Sequence, residues 1–187
     1  MVPHNLARPS APSTFALLSA DQPNRYLVAS WLRGLADLVV VNFHFTDIEQ
    51  PKGRAASLVS GLRHCTNIET LKLAECGYLT SAHLADLLPR LPRLRELTLH
   101  SLRIDSLAFL AQPPLTTQLR RLWLAYCFFL PPSELHHVHA LRHLTQLELY
   151  RSFTAPLDEQ SRSLLTPPSS VLPLLTEFAH THRPGLR

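Results

Sequence analysis

Ile68-Glu69-Thr70-Leu71-Lys72-Leu73 reads as L-x-x-L-x-L. The frame returns at Leu94-Arg95-Glu96-Leu97-Thr98-Leu99, Leu119-Arg120-Arg121-Leu122-Trp123-Leu124 and Leu144-Thr145-Gln146-Leu147-Glu148-Leu149. Successive starts lie 26, 25 and 25 residues apart. In L-x-L two leucines point to one face of a short strand and the residue between them to the other. Such a unit carries a leucine-rich edge that it cannot bury alone. Stacking the units buries it, with a parallel sheet on one side and helices or turns on the other. Looser copies flank the four: Leu35-x-x-Leu38-x-Val40 begins 33 residues before Ile68, and Leu175-x-x-Phe178 begins 31 after Leu144.

The segments between strands carry helical signals. Arg54–Leu62 reads as a helix, and so does Ser81–Leu88, which starts on a serine and ends against Pro89. Ser133–Leu144 follows Pro131-Pro132 and sets Leu135, Val138, Leu141 and Leu144 near helical spacing, whereas Pro113-Pro114 cuts Asp105–Leu119 to a short turn. Leu27, Val28, Trp31, Leu32 and Leu35 share one face of a helix over Asn24–Leu35, suited to cap the open end of the stack. Residues 1–23 read as a flexible arm punctuated by four prolines, with a brief apolar stretch at Phe15–Ala20. An organellar presequence is the alternative reading, since residues 1–20 contain no acid. The repeat domain is expected over 24–180, with a loose tail at 181–187.

The unit from Cys65 to Leu84, with Cys65, Ile68, Leu71, Leu73 and Cys76 followed by Leu79-Thr80-Ser81-Ala82-His83-Leu84, resembles the leucine-rich repeat family. It is similar to the cysteine-containing subclass found in F-box substrate receptors, and Cys127 matches Cys76 in a later unit. The resemblance covers about Leu35 to His180. It implies an α/β leucine-rich-repeat solenoid of five to six units, with a short-stranded parallel sheet on the concave face and helices or turns on the convex one. Leu102 and Ser152 depart from the ladder cysteine, and no F-box-like segment stands before the repeats.

Composition agrees with such a stack and narrows function. The 187 residues include 39 leucines, far above ordinary usage. Only two lysines accompany 16 arginines, the formal net charge is +4, and no apolar run reaches the roughly 18 residues of a membrane span. Three cysteines without a CxxC pair argue against a disulfide framework or a four-thiolate zinc site, and favour an intracellular, cytoplasmic setting with the mitochondrion as alternative. Five glycines and no phosphate-loop, dinucleotide-binding or nucleophile-elbow motif leave no catalytic residues to name, and no cofactor is expected.

A site is therefore sought among strand residues that leave the core. The outward positions are Thr70, Lys72 and Ala74; Glu96, Thr98 and His100; Arg121, Trp123 and Ala125; Gln146, Glu148 and Tyr150. Lys72, Thr98, His100, Arg121, Trp123, Glu148 and Tyr150 are the expected partner-binding residues. Two large aromatics on a polar face, with an arginine beside them, have the composition of a binding hot spot. Trp123 is expected beside Thr98 and Glu148, Tyr150 beside Ala125, and the small Ala74 and Ala125 leave room for an inserted side chain. His136, His139 and His143 fall on one face of an α-helix but lack second-shell acids, so they read as surface filler rather than as metal ligands. The expected partner is a protein. RNA met by the basic surface in an organellar or RNA-containing complex is one alternative, and a ubiquitin-ligase adaptor is another.

Overall fold

The computed structural model describes residues 16–19, 40–44, 54–127, 129–168 and 172–181. Among them seven strands form one parallel sheet whose spatial order is the order of the chain. These are β1 (Ala16–Ser19), β2 (Val40–His44), β3 (Thr70–Ala74), β4 (Glu96–His100), β5 (Arg121–Ala125), β6 (Gln146–Tyr150) and β7 (Glu177–Thr181). The return segments hold helices α1 (Arg54–Leu62), α2 (Ser81–Leu87), α3 (Leu115–Gln118) and α4 (Glu159–Leu165), together with 3-10 turns at Leu88–Arg90, Ala108–Ala111 and Pro132–Ala140. This is the α/β, leucine-rich-repeat-like architecture that the spacing predicts.

Register is set by leucine. Leu71, Leu97, Leu122 and Leu147 pair in one row across the sheet, and Leu73, Leu99, Leu124 and Leu149 in the next. All eight are buried. A one-residue slip would send every one of them to solvent, so burial locks the pairing. Each fully buried leucine contributes about 1.5–3 kcal/mol relative to exposure.

Backbone hydrogen bonds repeat with the same period. The Glu69 carbonyl accepts from the N–H groups of both Arg95 and Glu96, at 2.8 and 3.0 Å, and Arg95, Arg120 and Thr145 each do the same for the following unit. Beyond the strand ends, the N–H groups of Glu75, Ser101 and Tyr126 donate to the carbonyls of His100, Ala125 and Tyr150. Glu75, Ser101, Tyr126 and Arg151 all have positive φ, between 46° and 56°. None is glycine, so each carries the steric cost of the left-handed region. The residue two positions after each of β3 to β6 then turns into the core. Cys76 Sγ, Cys127 Sγ and Ser152 Oγ donate to the carbonyls of Ala74, Ala125 and Tyr150, at 3.3, 3.5 and 3.0 Å. Ser152 thus keeps the ladder bond of the cysteines, and Leu102 fills the same buried place without one.

Several expectations change. The first loose copy pairs through Val41 and Phe43, which face Leu71 and Leu73, so its frame is Leu38-x-x-Val41-x-Phe43 and not the one starting at Leu35. Ala16–Ser19 lies inside the stretch read as a flexible arm, yet it pairs in parallel with β2. The Phe15–Ala20 apolar run supplies that strand. The helix expected over Asn24–Leu35 and the tail 182–187 lie outside the described residues, while Thr181 ends β7. Glu159–Leu165, which the sequence reading left unassigned, is a helix whose cap Asp158 accepts from the Ser161 N–H at 2.6 Å.

The histidine-bearing return is 3-10 rather than α, because its buried residues Leu135, Val138 and Leu141 recur every third position. The turn ends at Ala140, so a period of three aligns His136 and His139 while His143 falls beyond it. His136 Nδ1 lies 2.6 Å from the Ser133 carbonyl, and its ring meets that of His137 at a tilt of 39°. Among the described residues no group of three metal-ligating side chains gathers. The unit is tied to its neighbour by Glu134, whose carboxylate accepts from Ser106 Oγ–H and the Leu107 N–H, both at 2.8 Å.

Two predictions follow from this geometry. Ser101→Gly relieves the left-handed strain and is expected to raise stability by about 0.5–1 kcal/mol net of glycine's larger unfolded entropy, while Ser101→Val lowers it by about 1–3 kcal/mol; chemical denaturation reads both. Burial holds the His139 imidazole below its ordinary value of 6.5, helped by His136 and Arg142. A depressed pKa means that the unfolded chain takes the proton first, so stability is full above that value and declines as pH falls through it toward the folded pKa. Glu134, although partly desolvated, is held below the carboxylate range by its Leu107 and Ser106 hydrogen bonds and the two histidines, and titrates at lower pH. Melting temperatures of the His139→Leu variant should therefore lose part of the decline just below pH 6.5.

Candidate functional site

Alternation along β3–β6 sends three rows of side chains away from the leucine core. Their register is Thr70, Glu96, Arg121, Gln146 and Glu177; then Lys72, Thr98, Trp123, Glu148 and Ala179; then Ala74, His100, Ala125, Tyr150 and Thr181. The seven residues singled out in the sequence thus share one sheet face, with Trp123 between Thr98 and Glu148 and Tyr150 beside Ala125.

Trp123 stands at the centre of this face and is 43% exposed. No neighbouring ring covers it among the described residues. It lines a shallow depression of about 210 Å³ together with Lys72, Thr98, Arg121 and Glu148. Arg121 Nη1 bonds Glu96 Oε1 at 2.9 Å across the strands, so its guanidinium is oriented along the depression. Lys72 and Glu148 are exposed on opposite sides of Thr98 and Trp123. The depression therefore presents an indole, an oriented cation-carboxylate pair and separated charges of both signs.

The third row is built differently. Tyr126 ring contacts reach both neighbours of Ala125: its centroid lies 5.2 Å from that of His100 and 5.1 Å from that of Tyr150, both edge-on. Ala125 is consequently buried to 1% exposure, and the space expected above it is closed. Arg151 lies over the Tyr150 ring at 5.2 Å. Tyr126 and Arg151 occupy the left-handed position after a strand, where alternation no longer tells which way a side chain points. His100 and Tyr150 thus form an aromatic wall beside the Trp123 depression, and Ala74 is the small residue of the row that keeps partial exposure.

No protein-family model matches the chain, and no curated protein sequence does. Among solved structures it is similar to an internalin from Listeria monocytogenes str. 4b F2365, at 18% identity and a TM-score of 0.45. That alignment covers 81% of this chain and 50% of the internalin, so the chain spans half the length of the structure it resembles. A likeness of this degree says nothing about function. No described helix is long and apolar enough to cross a membrane.

The three cysteines lie on the other side of the sheet. Cys65, Cys76 and Cys127 are free and buried. Burial pushes the Cys76 and Cys127 thiols up to about 12, and the Cys65 thiol is raised by burial as well. A thiol so protonated and enclosed is neither nucleophile nor ligand. Iodoacetamide at mildly alkaline pH is expected to leave all three unmodified in the native protein and to alkylate all three in denaturant, as read by intact mass.

Proposed function

We propose that the chain is a non-catalytic protein-interaction module that receives a protein partner on the polar face of its sheet. The exposed Trp123 carries this reading. An indole costs solvation when left in water, and the leucine spine does not need it, since the Leu122 and Leu124 that flank it bury without it. Aromatic anchors beside an oriented arginine are the usual energetic centre of a protein interface. Lys72, Thr98, His100, Arg121, Glu148 and Tyr150 surround it as the rim. The cysteine and serine ladder supports the repeat resemblance and, through it, binding along a sheet face. An intracellular setting, cytoplasmic ahead of mitochondrial, is the companion proposal, resting on three buried cysteines that form no disulfide.

A partner captured from native cells should be lost with Trp123→Ala, which is expected to weaken binding at least tenfold, about 1.4 kcal/mol, while the melting temperature barely moves. Tyr150→Ala removes a rim residue and also an edge contact to Tyr126, so it should weaken capture with some loss of stability. Capture that survives high salt and fails with Trp123→Ala fits a protein held by apolar contact. Unchanged capture by Trp123→Ala overturns the reading, and binding that collapses with salt and is competed by RNA favours an RNA partner instead.

A further inference from the structure

A second surface lies on the edge of the sheet where the strands begin. There a cleft of about 540 Å³ is lined by Glu69, Arg93, Arg95, Thr117, Gln118 and Arg120, among others. Its period is that of the repeat: Arg95 and Arg120 hold the same position before β4 and β5, joined by the Arg120 N–H bond to the Arg95 carbonyl at 2.8 Å. Neighbouring strands lie about 5 Å apart, which sets the two side chains side by side. Arg93, Arg95 and Arg120 are exposed. Among the described residues no carboxylate forms an ion pair with any of them, unlike Arg63, Arg90 and Arg121. Arg120 makes one bond, from Nη1 to the His143 carbonyl at 3.2 Å. Gln118 Oε1, on the same wall, is shielded from solvent and has no donor.

We infer that this cleft docks an acidic peptide segment of a protein partner, with the unpaired guanidiniums of Arg93, Arg95 and Arg120 taking its carboxylates. Guanidiniums bind carboxylate and phosphate alike through paired N–H bonds, so charge alone names an anion and no more. The extent of the patch and its acceptors decide between them. The positive row is two strands wide: the same position is Glu69 before β3 and Thr145 before β6. A nucleic-acid strand needs a basic stripe that tracks its backbone, whereas a row two strands wide matches a pair of carboxylates. Gln118 Oε1 needs a donor, which a peptide supplies from a backbone N–H alongside its carboxylates. The backbone carbonyls at the strand starts are already occupied by the next unit, so recognition runs through side chains. The cleft is separate from the Trp123 depression, and the inference does not rest on that reading.

The test uses the full chain and fluorescence anisotropy with two labelled probes: a glycine-serine peptide carrying two adjacent glutamates, and a single-stranded RNA of similar length. The peptide should bind at low salt, weaken at least tenfold with Arg95→Gln and again with Arg95→Gln/Arg120→Gln, and be unaffected by Arg103→Gln, an exposed arginine outside the cleft. Trp123→Ala should leave peptide binding unchanged, which separates this surface from the sheet face. Arg95→Gln leaves the Arg120 bond to the His143 carbonyl intact, and matching melting curves exclude misfolding. No peptide binding, or equal binding by wild type and Arg95→Gln, overturns the inference. RNA binding that falls with Arg95→Gln in the absence of peptide binding overturns it in favour of a nucleic-acid site.

Discussion

Each turn of the chain must come back one strand spacing from where it left. The repeated acceptance of two N–H groups by a single carbonyl, at Glu69, Arg95, Arg120 and Thr145, enforces that return at the strand start. The left-handed residue after each of β3 to β6 enforces it at the other end. With both ends pinned, the leucines between them have one register available, and their burial makes it the favoured one. The return segments then have freedom of form. An α-helix, a 3-10 turn and a short turn after paired prolines all serve between consecutive strands, because each needs only to deliver leucines to the same spine.

Bearing four non-glycine residues in the left-handed region is affordable because the cost is spread one per unit and offset locally. Glu75, Ser101 and Tyr126 each gain a backbone hydrogen bond to the following coil, and the next residue enters the core as Cys76, Leu102, Cys127 or Ser152. Three of these four also satisfy the carbonyl of the last strand residue. The ladder cysteine is thus explained by size and a weak donor together. Serine keeps the donor, leucine keeps the apolar volume, and the fold accepts both.

Legibility followed periodicity. Where leucine filled the frame, from Ile68 to Leu149, the strands and their outward residues were readable to the residue. Where Val41 and Phe43 replaced leucine, Leu35 and Leu38 offered a competing frame three residues early and took the assignment. The spacing of three among Leu135, Val138 and Leu141 was present in the sequence, but it is close enough to the helical 3.6 to be taken for it, and the expected histidine face loses His143, which lies past the end of the turn at Ala140. The closure over Ala125 was not legible at all. Tyr126 sits where the two-residue alternation has stopped, and only the left-handed turn aims its ring back between His100 and Tyr150.

The same alternation explains why two unlike surfaces meet on this small chain. In each of units β4 and β5 the last residue before the strand and the first within it are consecutive, Arg95-Glu96 and Arg120-Arg121, and the step between them passes from the edge cleft to the sheet face. On the face, Arg121 is neutralised by Glu96 and Trp123 stands free; on the edge, the arginines stand free. One residue type therefore plays opposite parts a single position apart, oriented by a carboxylate where an indole leads and left open where charge leads. The leucine spine beneath needs neither of these positions, so both are open to residues chosen for what they meet in solvent.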